Sequence, residues 1–312
     1  MEREIKNIAV IITSFNLPEL TDGLVEQVKR NIKFPHELLV FDNGSEKRKI
    51  SKYTTHRVEK NIGLSRGIDY IYNIAKTSKN IGAYWFLCND IILDENLDYL
   101  KELVRFYNEI SRKYKTACIT PSVYPSEEYP ISSQMKRQSN SRFRPIVYWE
   151  WDAALLIRDF MDKFYPNGFN LGTYHAGVNV ELSYQAWKNS YGCFVLDNIS
   201  FKERMNQTFI QCGGKEVNGV FVPAIKDLGN VLMKDLNILW DNYKKRGINM
   251  VRERAKMHRD IDKRGRFEKY LLPTSVYRES LITKINDFVE DLLDDLIEKL
   301  KHIFRTLTRK NL

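Results

Sequence analysis

Between Ile8 and Pro121, short apolar runs alternate with longer stretches in which apolar residues recur every three or four positions. The runs Ile8–Ile12, Glu37–Phe41, Thr55–Val58, Tyr84–Cys88 and Ala117–Pro121 have the length of strands. Glu19–Asn31, Leu64–Thr77 and Leu97–Tyr114 have the period of helices. The order β-α-β-β-α-β-α-β predicts an α/β fold with a mixed, mostly parallel, Rossmann-like sheet and helices on both faces. Such sheets bind ligands at the carboxyl edge, so the residues that follow each strand are the candidates for chemistry.

Further along, Val147–Ile157 reads as a strand, Val178–Asn189 as a helix and Cys193–Leu196 as another strand. Residues 122–146, rich in Ser, Pro, Arg and Gln, lack periodicity and are expected to form an exposed loop. Residues 213–250 show no clear pattern. From Leu281 onward, Leu281, Ile285, Phe288, Leu292, Leu296, Leu300, Ile303 and Leu307 fall on one stripe of a long amphipathic helix. The expected organisation is an α/β domain over 1–240, a basic helical segment over 241–274 and a C-terminal helix over 275–312. That last helix would pack on its own domain or pair with a second copy in a homo-oligomer. Its acidic first half disfavours contact with anionic lipid.

The net charge of +9 is concentrated in residues 242–266, which carry ten Lys and Arg. Such a stretch suits an anionic partner: lipid headgroups at a membrane surface, a phosphorylated acceptor or nucleic acid. Interleaved Glu253, Asp260 and Asp262 suit a solvated helix face equally well. Nucleic acid ranks behind a glycan or lipid-linked acceptor, because the basic run lacks the regular aromatic interleaving of a single-strand platform. Cys88, Cys118, Cys193 and Cys212 are scattered without a CxxC pair, the usage of free thiols in a reducing compartment. The apolar run near the N-terminus is too short for a leader or a membrane span. The expected location is therefore cytoplasmic, with the inner face of a membrane within reach of the basic segment.

Four stretches fall at strand ends. Thr13-Ser14-Phe15-Asn16 follows the first strand without G-x-G-x-x-G, which disfavours a dinucleotide site. In Asp42-Asn43-Gly44-Ser45, Asp42 could accept hydrogen bonds from a base or ribose, although the same four residues make an ordinary turn. Asn61-Ile62-Gly63-Leu64-Ser65-Arg66-Gly67 opens a helix, where small residues and a helix N-terminus suit a phosphate and Arg66 would supply counter-charge. It also spells G-x-S-x-G, but a nucleophile elbow follows a buried strand and the preceding residues are polar. Cys88-Asn89-Asp90 ends an apolar run on a carboxylate, which either faces water at a strand mouth or holds a cation.

Taken in order, these stretches resemble family-2 glycosyltransferases, GT-A enzymes that move a sugar from a nucleotide donor, and most of all their rhamnosyltransferase-like members. Trp151–Arg158 resembles the family's "G-A-a-L-L-I-R" strand, Asn167–Asn170 its "G-G-F-D/N" turn and Tyr243–Gly247 its "Y-x-x-K-W-G" end. The resemblance spans roughly residues 5–250. It implies a nucleotide-diphosphate sugar donor along Thr13, Ser14, Asn16, Asp42, Asn61, Gly63, Arg66 and Asn89. It also implies Mg²⁺ or Mn²⁺ at Asp90 against the donor diphosphate, and inversion at the anomeric carbon. Trp149 and Trp151 are candidates for stacking on a sugar or for ordinary core packing. The family's catalytic aspartate falls on Asn179, which cannot take a proton. Three nearby groups stand as substitutes: His175, Glu181 and Asp152. The loss of that aspartate also admits another class of function, a noncatalytic binder that keeps the fold. The same chemistry on nucleic acid is a third reading.

Overall fold

The computed structural model describes residues 4–112, 114–124, 135–138, 142–204 and 207–262. Its first three strands, β1 (Ile8–Ser14), β2 (His36–Asp42) and β3 (His56–Arg57), are parallel neighbours. The helices α1 (Pro18–Asn31) and α2 (Leu64–Ala75) supply the crossovers. Pro18 starts α1 where a missing N–H costs nothing. Gly67 lets α2 approach β2 closely, since a Cβ there would meet the Phe41 ring at 2.9 Å. Strand β4 (Ala83–Cys88) then pairs on the other side of β1. Because β2 and β4 flank β1, the strand order reverses at β1, and the carboxyl ends of β1 and β4 open a crevice there.

Strand β5 (Ile91–Ile92), helix α3 (Tyr99–Ile110), strands β6 (Thr116–Val123), β7 (Phe143–Pro145) and β8 (Leu155–Ile157), helices α4 (Arg158–Phe164) and α5 (Val178–Lys188), and strand β9 (Gly192–Glu203) complete the main sheet. Its order is β3-β2-β1-β4-β8-β6-β9-β5, with β7 also on β9. Antiparallel β8 sits between β4 and β6, while β6 and β9 are parallel. Strands β1 and β4 are buried on both faces, which is why they read as near-continuous apolar runs.

Three expectations change. Only Leu155–Ile157 of the expected strand Val147–Ile157 is regular. The residues before it still pair with β4, through Phe86 N–H to Ala154 O at 2.9 Å and Cys88 N–H to Asp152 O at 3.1 Å, but they bend across the crevice. The 122–146 stretch is only partly exposed in its described residues: Tyr124, Lys136, Arg137, Gln138 and Arg142 are exposed, but others are not. Met135, Phe143, Arg144 and Ile146 are buried, and Arg144 Nε donates to buried Asp197 Oδ2 at 3.1 Å, an ion pair that composition does not reveal. Residues 213–240, without a clear pattern in the sequence, form the hairpin β10 (Lys215–Val217) and β11 (Val220–Val222) and most of α7 (Leu228–Lys245); α6 (Gln207–Cys212) precedes them and α8 (Met250–Asp262) follows, within the expected basic segment.

Leu239, Tyr243, Met250 and Met257 of α7 and α8 pack with Val147 and with Tyr184 of α5. In the described part of the basic segment, Lys244, Lys245, Arg246, Arg252 and Arg254 are exposed. The expected C-terminal helix lies outside the described residues. No described helix is long and apolar enough to cross a membrane.

Candidate active site

A cleft of about 440 Å³ opens at the carboxyl ends of β1 and β4. One wall is polar: Thr13 and Ser14 from β1, Asn43 and Asn61, then Asn89 and Asp90 beyond β4. A second carries Glu150, Trp151, Asp152, Tyr174, His175, Asn179 and Glu203. The third is apolar, built from Phe209 of α6, Val220, Phe221 and Val222 of β11, and Leu232 of α7.

Local chemistry explains why these segments converge. Asn43 of the Asp-Asn-Gly-Ser turn accepts from Ile62 N–H at 3.1 Å and donates to Asn61 Oδ1 and Gly63 O, each at 3.2 Å. It thereby joins two of the strand-end stretches. Gly63 has a positive φ of 85°, and a Cβ on it would meet Tyr174 O at 2.2 Å, so only glycine fits. Thr21 of α1 accepts from Asn89 Nδ2 at 3.1 Å and shares a 2.7 Å hydrogen bond with Ser14, which fixes both polar strand ends. The hairpin turns through Asn218 and Gly219, both at positive φ, and Asn218 Nδ2 donates to Gly44 O at 3.2 Å and to Glu59 O. That seats the apolar wall against the Asp-Asn-Gly-Ser turn.

The electrostatics are one-sided. Four carboxylates line the cleft, and among the described residues no Lys or Arg does. Burial pushes the Asp90 carboxyl up to about 6, against hydrogen bonds from its own N–H and that of Gln207. Asp152 is held well above the carboxylate range, first by burial and then by the charges of Glu203, Glu150 and Asp90. Its Oδ2 is buried without a partner. Burial raises the Cys88 thiol too, keeping it protonated beside Asp152. His175 moves the other way: burial lowers it, partly opposed by Asp235, so its imidazole is neutral at pH 7. Its ring packs edge-on to Tyr174 at 4.6 Å and to Phe209 at 6.0 Å.

Among solved structures, GalNAc-T7 with UDP, GalNAc and Mn²⁺ matches 77% of this chain and 49% of its own, at 16% identity and a TM-score of 0.50. The chain has the GT-A fold. It spans about half the length of the GalNAc-T7 chain. Residues 1–349 of S. aureus TarS match 77% of this chain and 74% of their own, at 14% identity and a TM-score of 0.49. The mannosyltransferase PcManGT from Pyrobaculum calidifontis, with GDP-Man and Mn²⁺, matches 65% and 59%, at 11% and 0.46. No family model and no curated protein matches the sequence.

The GT-A cleft gathers Thr13, Ser14, Asn61, Asn89, Asp90, Asp152 and His175 from the residues proposed on sequence. Of the other proposed residues only Trp151 lines it. Asn16, at a φ of 59°, spends its side chain inside the loop, accepting from Glu46 N–H at 2.9 Å and donating to Cys212 Sγ at 3.8 Å. Asp42 Oδ1 accepts from Gly44 N–H, Ser45 N–H and Arg57 Nε within 3.2 Å, while its buried Oδ2 has no partner. Arg66 is exposed and lies over the Tyr174 ring at 5.7 Å. Glu181 is buried where α5 meets α7, with Arg246 Nη1 3.6 Å away, which takes it off the reacting wall. Trp149 is wholly buried, whereas Trp151 lines the cleft and packs edge-on to Phe86 at 5.2 Å.

Glu150, Tyr174 and Glu203 were not singled out from sequence. Tyr174 adjoins His175, and Glu203 ends β9. The apolar wall carries no motif at all.

A divalent cation fits these donors. Asp90 sits at a strand mouth, Asp152 has an unpaired buried oxygen, and the surrounding acidity would repel an unescorted diphosphate. Among the described residues no three His, Cys, Asp or Glu side chains form a ready cage. The remaining ligands would have to come from a bound molecule.

Proposed function

We propose that the protein is an inverting glycosyltransferase that moves a hexosyl or deoxyhexosyl group from a nucleotide-diphosphate donor to an acceptor hydroxyl. The observation that carries this reading is the position of Asp90: a burial-perturbed carboxylate directly after β4, in the switch-point cleft of a GT-A fold. Thr13, Ser14 and Asn61 line the donor side. Mg²⁺ or Mn²⁺ held by Asp90 would neutralise the charge that builds on the departing diphosphate.

His175 is the base this reading favours. It is neutral at pH 7, it lines the cleft, and no hydrogen bond among the described residues engages its ring. Asp152 retains its proton in the metal-free protein and so is a poor base, and Glu181 is out of reach. The apolar wall of Phe209, Val220 and Val222 suits an acceptor with a hydrocarbon part, a glycan or lipid-linked hydroxyl compound.

Incubation with a panel of nucleotide sugars and Mn²⁺, read as release of nucleoside diphosphate, tests the reading. The anomeric configuration of the product, read by NMR, tests inversion. A noncatalytic binder is the second reading. It is favoured by Asn179, which replaces an ionisable base and donates its amide to Trp149 O at 2.7 Å. Nucleotide binding without turnover of any donor would select it.

A further inference from the structure

We infer that Asp235, on α7, is a positioning residue that sets His175 and Tyr174 in the cleft wall by holding three successive amides of their loop. The inference rests on the transferase reading above. Asp235 is 4% exposed, and no cation among the described residues forms an ion pair with it. Buried carboxylates of this kind persist only when hydrogen bonds replace their water. Here Tyr174 N–H donates to Oδ1 at 3.0 Å, and His175 N–H and Ala176 N–H donate to Oδ2 at 2.5 and 3.0 Å.

Three consecutive N–H groups aimed at one point form a concave anion site. Asp235 fills that site from within the protein, so those amides are spent on placing the loop and are not offered to a substrate phosphate. The opposite side of the loop is held as firmly. Ser65 N–H donates to Tyr174 O at 3.0 Å, Ser65 Oγ donates to Ala176 O at 3.1 Å, and Tyr174 Oη donates to Asn61 O at 2.8 Å. The loop is thus clamped between the start of α2 and the middle of α7. Removing Asp235 frees one side only, leaving the cleft residues at the ends of β1 and β4 in place.

The test compares wild type with Asp235→Ala and with the near-isosteric Asp235→Asn, using hydrogen exchange, nucleoside diphosphate affinity with Mn²⁺ and steady-state turnover. Exchange should quicken by about tenfold or more at 174–176 in Asp235→Ala. The nucleotide Kd should stay within about twofold while kcat falls by about 10- to 100-fold, because a small misplacement of a reacting group is costly. Asp235→Asn, which keeps one acceptor oxygen, should fall between, and it carries the test should Asp235→Ala not fold. Unchanged exchange at 174–176 in a folded variant would overturn the clamp. Faster exchange with kcat held within about twofold of wild type would overturn the positioning role. If wild type neither binds a nucleoside diphosphate nor turns over a donor, the transferase reading falls, and the catalytic half of the inference with it.

Discussion

Replacing Asp90 by Asn should stabilise the metal-free protein while abolishing metal-dependent nucleotide binding. The Asp90 carboxyl is shifted from 3.8 to about 6, chiefly by burial. At about 1.4 kcal/mol per pH unit, keeping it ionised costs the fold at most about 3 kcal/mol at neutral pH. Water in the open cleft screens part of this, so about 1–3 kcal/mol is the working range. An acid whose native value is raised is favoured by the fold in its protonated form. The penalty is therefore absent below the unfolded value of 3.8 and complete above about 6. Asp90→Asn removes it and keeps an oxygen to accept the N–H groups of residue 90 and Gln207. For a domain of this size that corresponds to a melting temperature higher by about 2 to 6 °C at about pH 7.5, shrinking to nothing near pH 4. Differential scanning calorimetry of both proteins across that range, with chelator present, makes the comparison. A variant no more stable than wild type at pH 7.5, or one with a gain independent of pH, would refute the argument that a carboxylate only partly compensated by hydrogen bonds sits just past the end of β4.

Three further outcomes follow from the geometry. His175→Ala should lower kcat by about 100-fold or more with nucleotide affinity unchanged, as stopped turnover assays and calorimetry would read. Gly63→Ala places a Cβ 2.2 Å from Tyr174 O at a φ of 85°, so it should cost at least about 2 kcal/mol in urea denaturation and disturb the His175 loop as well. Asp197→Ala leaves the buried Arg144 guanidinium without its carboxylate and should cost about 3–5 kcal/mol in the same assay.

The parts of the fold made by local periodicity were legible from sequence. Strands β1 and β4 are buried on both faces, so they read as near-continuous apolar runs, and the polar residues that end them announce the cleft. Asn89 and Asp90 could be read there because a carboxylate after an apolar strand is chemically conspicuous. Asp42 and Asn16 sit in the right turns, but turn residues use their side chains locally. Which oxygen stays free, such as Asp42 Oδ2, is a matter of three-dimensional accounting. Glu181 shows the limit of motif placement. Two positions along α5 decide whether a side chain faces the cleft, as Asn179 does, or the α5–α7 contact, as Glu181 does. Asp235 and the apolar wall were invisible because their roles depend on a hairpin and a helix with no motif, brought to the site by packing across about 60 residues of chain.

The most direct test of the central claim is calorimetric titration of wild type and Asp90→Ala with UDP, GDP, dTDP and CMP, each with and without Mn²⁺. A nucleotide-sugar cleft with a metal at Asp90 predicts that at least one nucleotide binds wild type, that Mn²⁺ strengthens the binding by about tenfold or more, and that Asp90→Ala removes the metal effect. Binding of none of them, or equal Mn²⁺ enhancement in the variant, would contradict it.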